Sequence, residues 1–208
     1  MSEALLSTVA VSGGFNDPVF EAQAVFRALM DAMARPGTVH DLSVSIAPPA
    51  PLGQGSGAVA LAMCDPDTPV WLGEGADSES VRAWLSFQCG APVARDAEGS
   101  AFAFARGTNM PAMDTFAVGT QEYPDRSTTL VVDVEALEGG ARLGLEGPGI
   151  DGRRTVGPVG LPEDFVTQRA ANRALFPRGV DVVLVAGLRM MALPRSTVVS
   201  HVNETEAG

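Results

Sequence analysis

The sequence predicts one α/β domain in which helices cover a mixed sheet. Three features carry that expectation: apolar residues at helical three–four spacing after Pro18, a nearly unbroken aliphatic run from Val180 to Ala186, and short strand-like segments separated by glycine turns. No shift of composition and no long polar linker divides the 208 residues, a length sufficient for one good-sized core. The domain is expected over residues 15–202, between a flexible N-terminus at 1–14 and a tail at 203–208.

The first helix is signalled at both ends. Asp17 can accept from free amides of the first turn, and Pro18 stands where a missing N–H costs nothing. Ala22, Val25, Phe26, Leu29, Met30 and Met33 recur along one face, with Gln23, Arg27 and Asp31 opposite; Pro36 and Gly37 end the helix. Thr38 to Leu42 reads as a short strand, Pro48 to Gly57 as a loop, and Ala58 to Met63 as a short buried helix. Gly53-Gln-Gly-Ser-Gly57 resembles a phosphate-cradling loop only superficially: prolines precede it and no Gly-Lys-Ser follows, so a flexible connection is the better reading.

Val70 to Leu72 is expected as a strand, followed by a helix that Asp77 or Ser78 caps. Val81, Trp84 and Leu85 share its inner face, which makes Trp84 a core residue, and Gly90 with Pro92 closes it. Ser100 to Ala105 and the β-branched Thr128 to Val134 should pair in a sheet. Ala141 to Glu146 supplies another strand, with Arg153 to Val156 returning beside it as a hairpin. Pro162, Glu163 and Asp164 open the last helix, which runs to Phe176-Pro177. Val180 to Ala186 then suits a central strand buried on both faces, and Arg189 to Leu193 its neighbour after a turn at Gly187.

Composition narrows the function. The net charge of −11 repels polyanions and speaks against nucleic acid or an anionic membrane surface as a partner. Glycine and proline interrupt every apolar run before it reaches the length of a membrane span. Met1 to Ala10 carries Glu3 and no basic residue, unlike a secretory leader, so the cytoplasm is the expected compartment.

All fourteen basic residues are arginines. Without lysine, neither a pyridoxal phosphate Schiff base nor the phosphate lysine of a P-loop is available. His40 and His201 make no metal site by themselves, and no Gly-x-Ser-x-Gly elbow accompanies Ser127 or Ser196. Cys64 and Cys89 fit no Cys-x-x-Cys pattern; they read as reduced, buried residues, with a disulfide or cluster ligand as the alternative. No catalytic residue, cofactor or metal ligand is therefore assigned.

Two binding candidates remain. Asp65-Pro-Asp-Thr-Pro69 suits a turn whose aspartates satisfy local amides, with ligand or metal binding by Asp65 and Asp67 as the alternative. Arg153, Arg154, Arg169, Arg173 and Arg178 concentrate charge in the last third. Arg169 and Arg173 share a helix face, readable as a solvated surface or as a grip on an anion or a partner's carboxylate. Arg195, held within Ala192-Leu-Pro-Arg-Ser-Thr197, is the better candidate for a fixed contact, and Asp67 with Arg195 offers complementary charges.

Four blocks occur in order: Val25-Phe-Arg-Ala-Leu-Met-Asp-Ala-Met-Ala-Arg-Pro-Gly37, Asp65-Pro-Asp-Thr-Pro-Val-Trp-Leu72, Phe176-Pro-Arg-Gly-Val-Asp181 and Ala192-Leu-Pro-Arg-Ser-Thr197. Together they resemble the H subunits of bacterial carbon–phosphorus lyase core complexes, over Phe20 to Val202. The resemblance implies a fold like the large domain of pyridoxal-phosphate-dependent transferases, here without the cofactor.

It also implies an accessory, non-catalytic subunit that assembles with the G, I and J subunits and forms a homodimer in isolation. In that system the I subunit, helped by G, H and L, transfers ribose triphosphate from MgATP to an alkylphosphonate with release of adenine. The J subunit then breaks the carbon–phosphorus bond by iron–sulfur radical chemistry, for which this chain lacks the clustered cysteines. Two other classes compete: a self-sufficient transferase or hydrolase with a pocket built from Asp65, Asp67 and Arg195, and a regulatory module that binds phosphonate or nucleotide through arginine.

Overall fold

The computed structural model describes residues 11–202. The flexible segment expected at 1–14 therefore lies mostly outside the described residues, and the tail at 203–208 wholly so. Within 11–14, the Ser12 carbonyl accepts from Trp84 Nε1 at 2.9 Å and the Gly13 carbonyl from the Ala47 amide at 3.0 Å.

Helix α1 spans Pro18–Ala34, and the Asp17 carboxylate accepts from the Phe20 amide at 3.3 Å as its N-cap. Its buried line is Val25, Leu29 and Ala32. Phe26 and Met30, expected on the inner face, are instead 45% and 41% exposed. They lie about 100° around the helix from Val25 and Leu29, beyond the reach of a narrow helix–sheet contact.

Helix α2 runs Gln54–Met63, four residues earlier than expected, so Gly55 and Gly57 are buried helical residues and not a flexible connection. Close packing explains the glycines. A Cβ on Gly55 would stand 2.7 Å from the Gly187 carbonyl, and one on Gly57 would stand 2.8 Å from Pro48 Cγ. Helix α3, Glu79–Gln88, is capped by Ser78 Oγ accepting from the Val81 amide at 3.2 Å, and Trp84 is fully buried. Helix α4 covers Phe165–Arg173.

The main sheet has the order β1-β8-β7-β4-β3-β2. Its strands are β1 His40–Asp41, β2 Val70–Leu72, β3 Phe102–Arg106, β4 Thr129–Asp133, β7 Asp181–Ala186 and β8 Arg189–Leu193. β2, β3, β4 and β7 are mutually parallel, while β8 runs antiparallel to both β7 and β1, so the sheet is mixed. A second sheet, β6-β5-β9, was only half anticipated: β5 Leu143–Glu146 and β6 Arg154–Val156 form the expected antiparallel pair, but β9 Val198–His201 joins them from far along the chain.

Residues alternate across the main sheet. Val70, Leu72, Phe104, Val131, Val183 and Val185 pack against the three helices α1 to α3. Ala103, Ala105, Leu130, Val132, Val182 and Leu184 pack against α4 and the small sheet through Phe165, Leu143, Leu145 and Val199. Burial on both faces explains why β7 reads as a continuous aliphatic run. Among the described residues, no helix is long and apolar enough to cross a membrane.

Candidate functional site

The carboxyl ends of parallel strands are where open α/β sheets place their ligands. Here that end holds a cavity of about 280 Å³ lined by Gly53, Arg106, Thr108, Asp133, Val134, Glu135 and Gly160. Arg106 and Asp133 close β3 and β4 and are register partners. No hydrogen bond joins them.

Arg106 is instead held by backbone: its Nε donates to the Gly75 carbonyl at 2.9 Å and Nη2 to the Pro51 carbonyl at 3.2 Å. Asp133 accepts from Ser56 Oγ at 2.7 Å, across the first turn of α2. Burial pushes its carboxyl above the ordinary range, against the opposing effects of the Ser56 hydroxyl, the Arg106 charge and the Gly53 amide. A Cβ on Gly53 would fall 2.2 Å from Asp133 Oδ1, so only glycine admits this carboxylate to the helix start. The positive end of α2 is thus occupied by the chain's own anion, which accounts physically for the glycine-rich stretch without a bound phosphate.

Arg195 lies at the opposite end of the sheet. Its guanidinium Nε donates to Asp181 Oδ2 at 3.1 Å and its backbone amide to Asp181 Oδ1 at 2.7 Å. Nη2 reaches Ser127 Oγ at 2.6 Å and also Asp181, and Nη1 donates to the Pro124 carbonyl. Arg169, from α4, is 1% exposed and donates to the carbonyls of Pro194, Val180 and Thr197. Burial draws its guanidinium down to about 10, with Asp181 opposing, so it stays charged at neutral pH. The surface reading of Arg169 is therefore wrong: the side chain is buried, with Nη1 and Nη2 satisfied by carbonyls at 180, 194 and 197 and Nε left without a partner.

Arg173 donates to the Ser196 carbonyl at 3.2 Å and lies 5.0 Å over Phe176. Arg154 donates to the Pro36 carbonyl at 2.6 Å, and Arg153 stands 3.7 Å from Glu146.

Asp67 occupies the turn before β2. Asp65 Oδ1 accepts from the Asp67 amide at 2.9 Å and from Thr68 Oγ1 at 2.6 Å, and these bonds, the threonine hydroxyl foremost, hold the Asp65 carboxyl below its usual value. β3 and β4 separate this turn from β7 and its Asp181–Arg195 pair, so the structure does not bring Asp67 and Arg195 together. Cys64 and Cys89 are free thiols, both raised by burial, but only Cys64 is buried as expected and Cys89 is half-buried. Among the described residues no group of three or more His, Cys, Asp or Glu is placed to hold a metal ion.

Sequence reasoning passed over Arg106, Thr108, Asp133 and Glu135. The available signal was a charged residue ending each of two otherwise apolar strands, Phe-Ala-Phe-Ala-Arg106 and Thr-Leu-Val-Val-Asp133.

The family model for bacterial phosphonate metabolism protein (PhnH) matches residues 13–200. A protein of Rhizobium meliloti (strain 1021), named alpha-D-ribose 1-methylphosphonate 5-triphosphate synthase subunit PhnH, is 56% identical over 187 residues, 89% of this chain and 94% of that protein. A Stutzerimonas stutzeri protein named as a C-P lyase subunit, HtxG, is 36% identical over 86 residues, 41% of this chain and 43% of its own length. With a match across nearly the whole folded region, and with the four sequence blocks set in one α/β scaffold, the chain belongs to the PhnH family of bacterial phosphonate metabolism proteins.

Proposed function

We propose that this chain is an accessory, non-catalytic subunit of a synthase that transfers ribose triphosphate from ATP to an alkylphosphonate. The observation that carries the reading is the 56% identity, over 94% of its length, to a subunit of that name. The local geometry agrees with a structural role. Arg154 holds the Pro36 carbonyl of the first block, Asp65 closes the turn of the second, and Asp181 of the third meets Arg195 of the fourth. Residues of the four blocks thus stabilise corners of the scaffold, and binding energy is directed to positioning neighbours.

The partners in this reading are the G, I and J subunits, in the cytoplasm, with the 15–202 domain as the assembling unit. In isolation the chain forms a homodimer. The support is an apolar stripe on α1, where Val19, Phe20, Phe26 and Met30 are all exposed and Val19, Phe26 and Met30 follow one another at helical spacing. We also infer kinship with the large domain of pyridoxal-phosphate transferases, supported by the run of parallel strands flanked by antiparallel β8.

Co-expression with G, I and J subunits, pull-down, and an assay of phosphonate-dependent adenine release with and without this chain test the reading. Stable co-purification and loss of adenine release on omission are expected. Turnover of a phosphonate by the isolated chain would overturn it.

A further inference from the structure

We propose that the cavity at the carboxyl ends of β3 and β4 is a subsite for one neutral polyhydroxy ring of the pentose class. Its hydroxyls donate to Asp133 and Glu135 and accept from Arg106 and Thr108. The polyol class follows from the lining; only the choice of a pentose rests on the synthase reading above.

The lining is divided into an acceptor side and a donor side. Asp133 and Glu135 supply carboxylates, Arg106 a guanidinium, and Thr108 a hydroxyl that serves either way. Arg106 and Asp133 are register neighbours, yet they do not bond each other: Arg106 donates to the Gly75 and Pro51 carbonyls and Asp133 accepts from Ser56. A donor and an acceptor that line one cavity without bonding each other are complementary to groups that donate and accept at once. Vicinal hydroxyls do this; phosphate and ammonium groups do only half.

Charge separates the candidates further. Two carboxylates against one guanidinium leave the cavity negative within a chain of net charge −11, which disfavours a phosphonate or triphosphate group inside it. A cation would meet Arg106. Size points the same way: at about 280 Å³ the cavity is at the small end of ligand pockets, sufficient for a single ring and not for a nucleotide with its phosphates. Its end of the sheet is the one at which parallel strands present ligands.

Titration of the purified full-length chain with D-ribose and methyl β-D-riboside, followed by calorimetry and ligand-observed NMR, tests the subsite. Saturable binding is expected, with ribose 5-phosphate weaker than ribose and inorganic triphosphate not competing. Glu135→Gln and Thr108→Val, both at exposed positions, should each weaken ribose about tenfold while leaving the melting temperature unchanged. Absence of saturable binding up to about 50 mM sugar, or binding that both variants leave intact, would overturn the proposal. The co-expression assay separates the two readings. Assembly and adenine release without sugar binding sinks only the subsite, whereas sugar binding by a chain that joins no partner sinks the synthase reading and keeps a polyol site.

Discussion

Asp181 and Arg195 lock the start of β7 to the exit of β8. One carboxylate oxygen of Asp181 takes the Arg195 backbone amide at 2.7 Å and its Nε at 3.2 Å, while the other takes the same Nε at 3.1 Å. The side chains are 11% and 16% exposed, so the pair is largely removed from water, and each guanidinium nitrogen has at least one protein acceptor. Two sequence blocks that lie more than ten residues apart thereby become one corner, and Arg169 closes its inner side through the Pro194 carbonyl at 2.6 Å.

Breaking that corner from one side leaves an unpaired buried charge. Asp181→Ala and Arg195→Ala should each lower unfolding free energy by about 3–5 kcal/mol in urea titrations. The double variant should cost clearly less than the two losses added, because it removes the orphaned charge. Additive losses would show that the two residues act independently.

Arg169 makes a sharper test of geometry than of charge. Its guanidinium spans three carbonyls from a fully buried position, a fork that an ammonium group cannot reproduce. Arg169→Lys keeps the charge and should nevertheless destabilise by about 2–4 kcal/mol, the scale of buried donors and acceptors left unmatched. A near-neutral Arg169→Lys by thermal and chemical denaturation would contradict this account.

Gly55 sets helix propensity against packing. Alanine is intrinsically better in a helix by about 1 kcal/mol. The added methyl, however, would stand 2.7 Å from the Gly187 carbonyl and 2.9 Å from Val185 Cβ, both of which belong to the β7–β8 hairpin. Neither contact can swing aside as a flexible side chain would. Gly55→Ala should therefore be net destabilising by about 1–3 kcal/mol, measured as a fall in melting temperature.

Asp133 makes stability depend on pH in a definite direction. Its folded-state carboxyl titrates above the unfolded value, so between those two values the native chain holds a proton that the unfolded chain has released. This contribution is fully present below the unfolded aspartate value, near pH 4, and is lost as pH rises through the raised native value. Unfolding free energies of wild type and Asp133→Asn, compared from about pH 4 to pH 7, should show a decline with pH in the wild type that the variant lacks. Parallel profiles would remove Asp133 as the source.

The apolar stripe of α1 gives a prediction about assembly. On the homodimer reading proposed above, the isolated wild-type chain should be dimeric in light scattering after size exclusion, and Phe26→Glu combined with Met30→Glu should make it monomeric. The helix should survive, since its own anchors are Val25, Leu29 and Ala32. A dimer unaffected by these changes would place the interface elsewhere.

Local chemistry was enough to read most elements directly. Asp17 and Pro18 start α1, Ser78 caps α3, and Val70 to Leu72 forms a strand over its expected residues, because caps, proline and β-branched runs act within a few residues of themselves. The four ordered blocks also sufficed to identify the family, with the match now extending over residues 13–200. Long-range packing decided the rest. The glycine-rich segment is helical because Val185, Gly187 and Pro48 press against it, Arg169 is internal because distant carbonyls await it, and β9 is a strand because β5 offers it an edge. Likewise, Arg106 and Asp133 become neighbours only when β3 and β4 align in parallel register, a pairing across 26 intervening residues that no local pattern encodes.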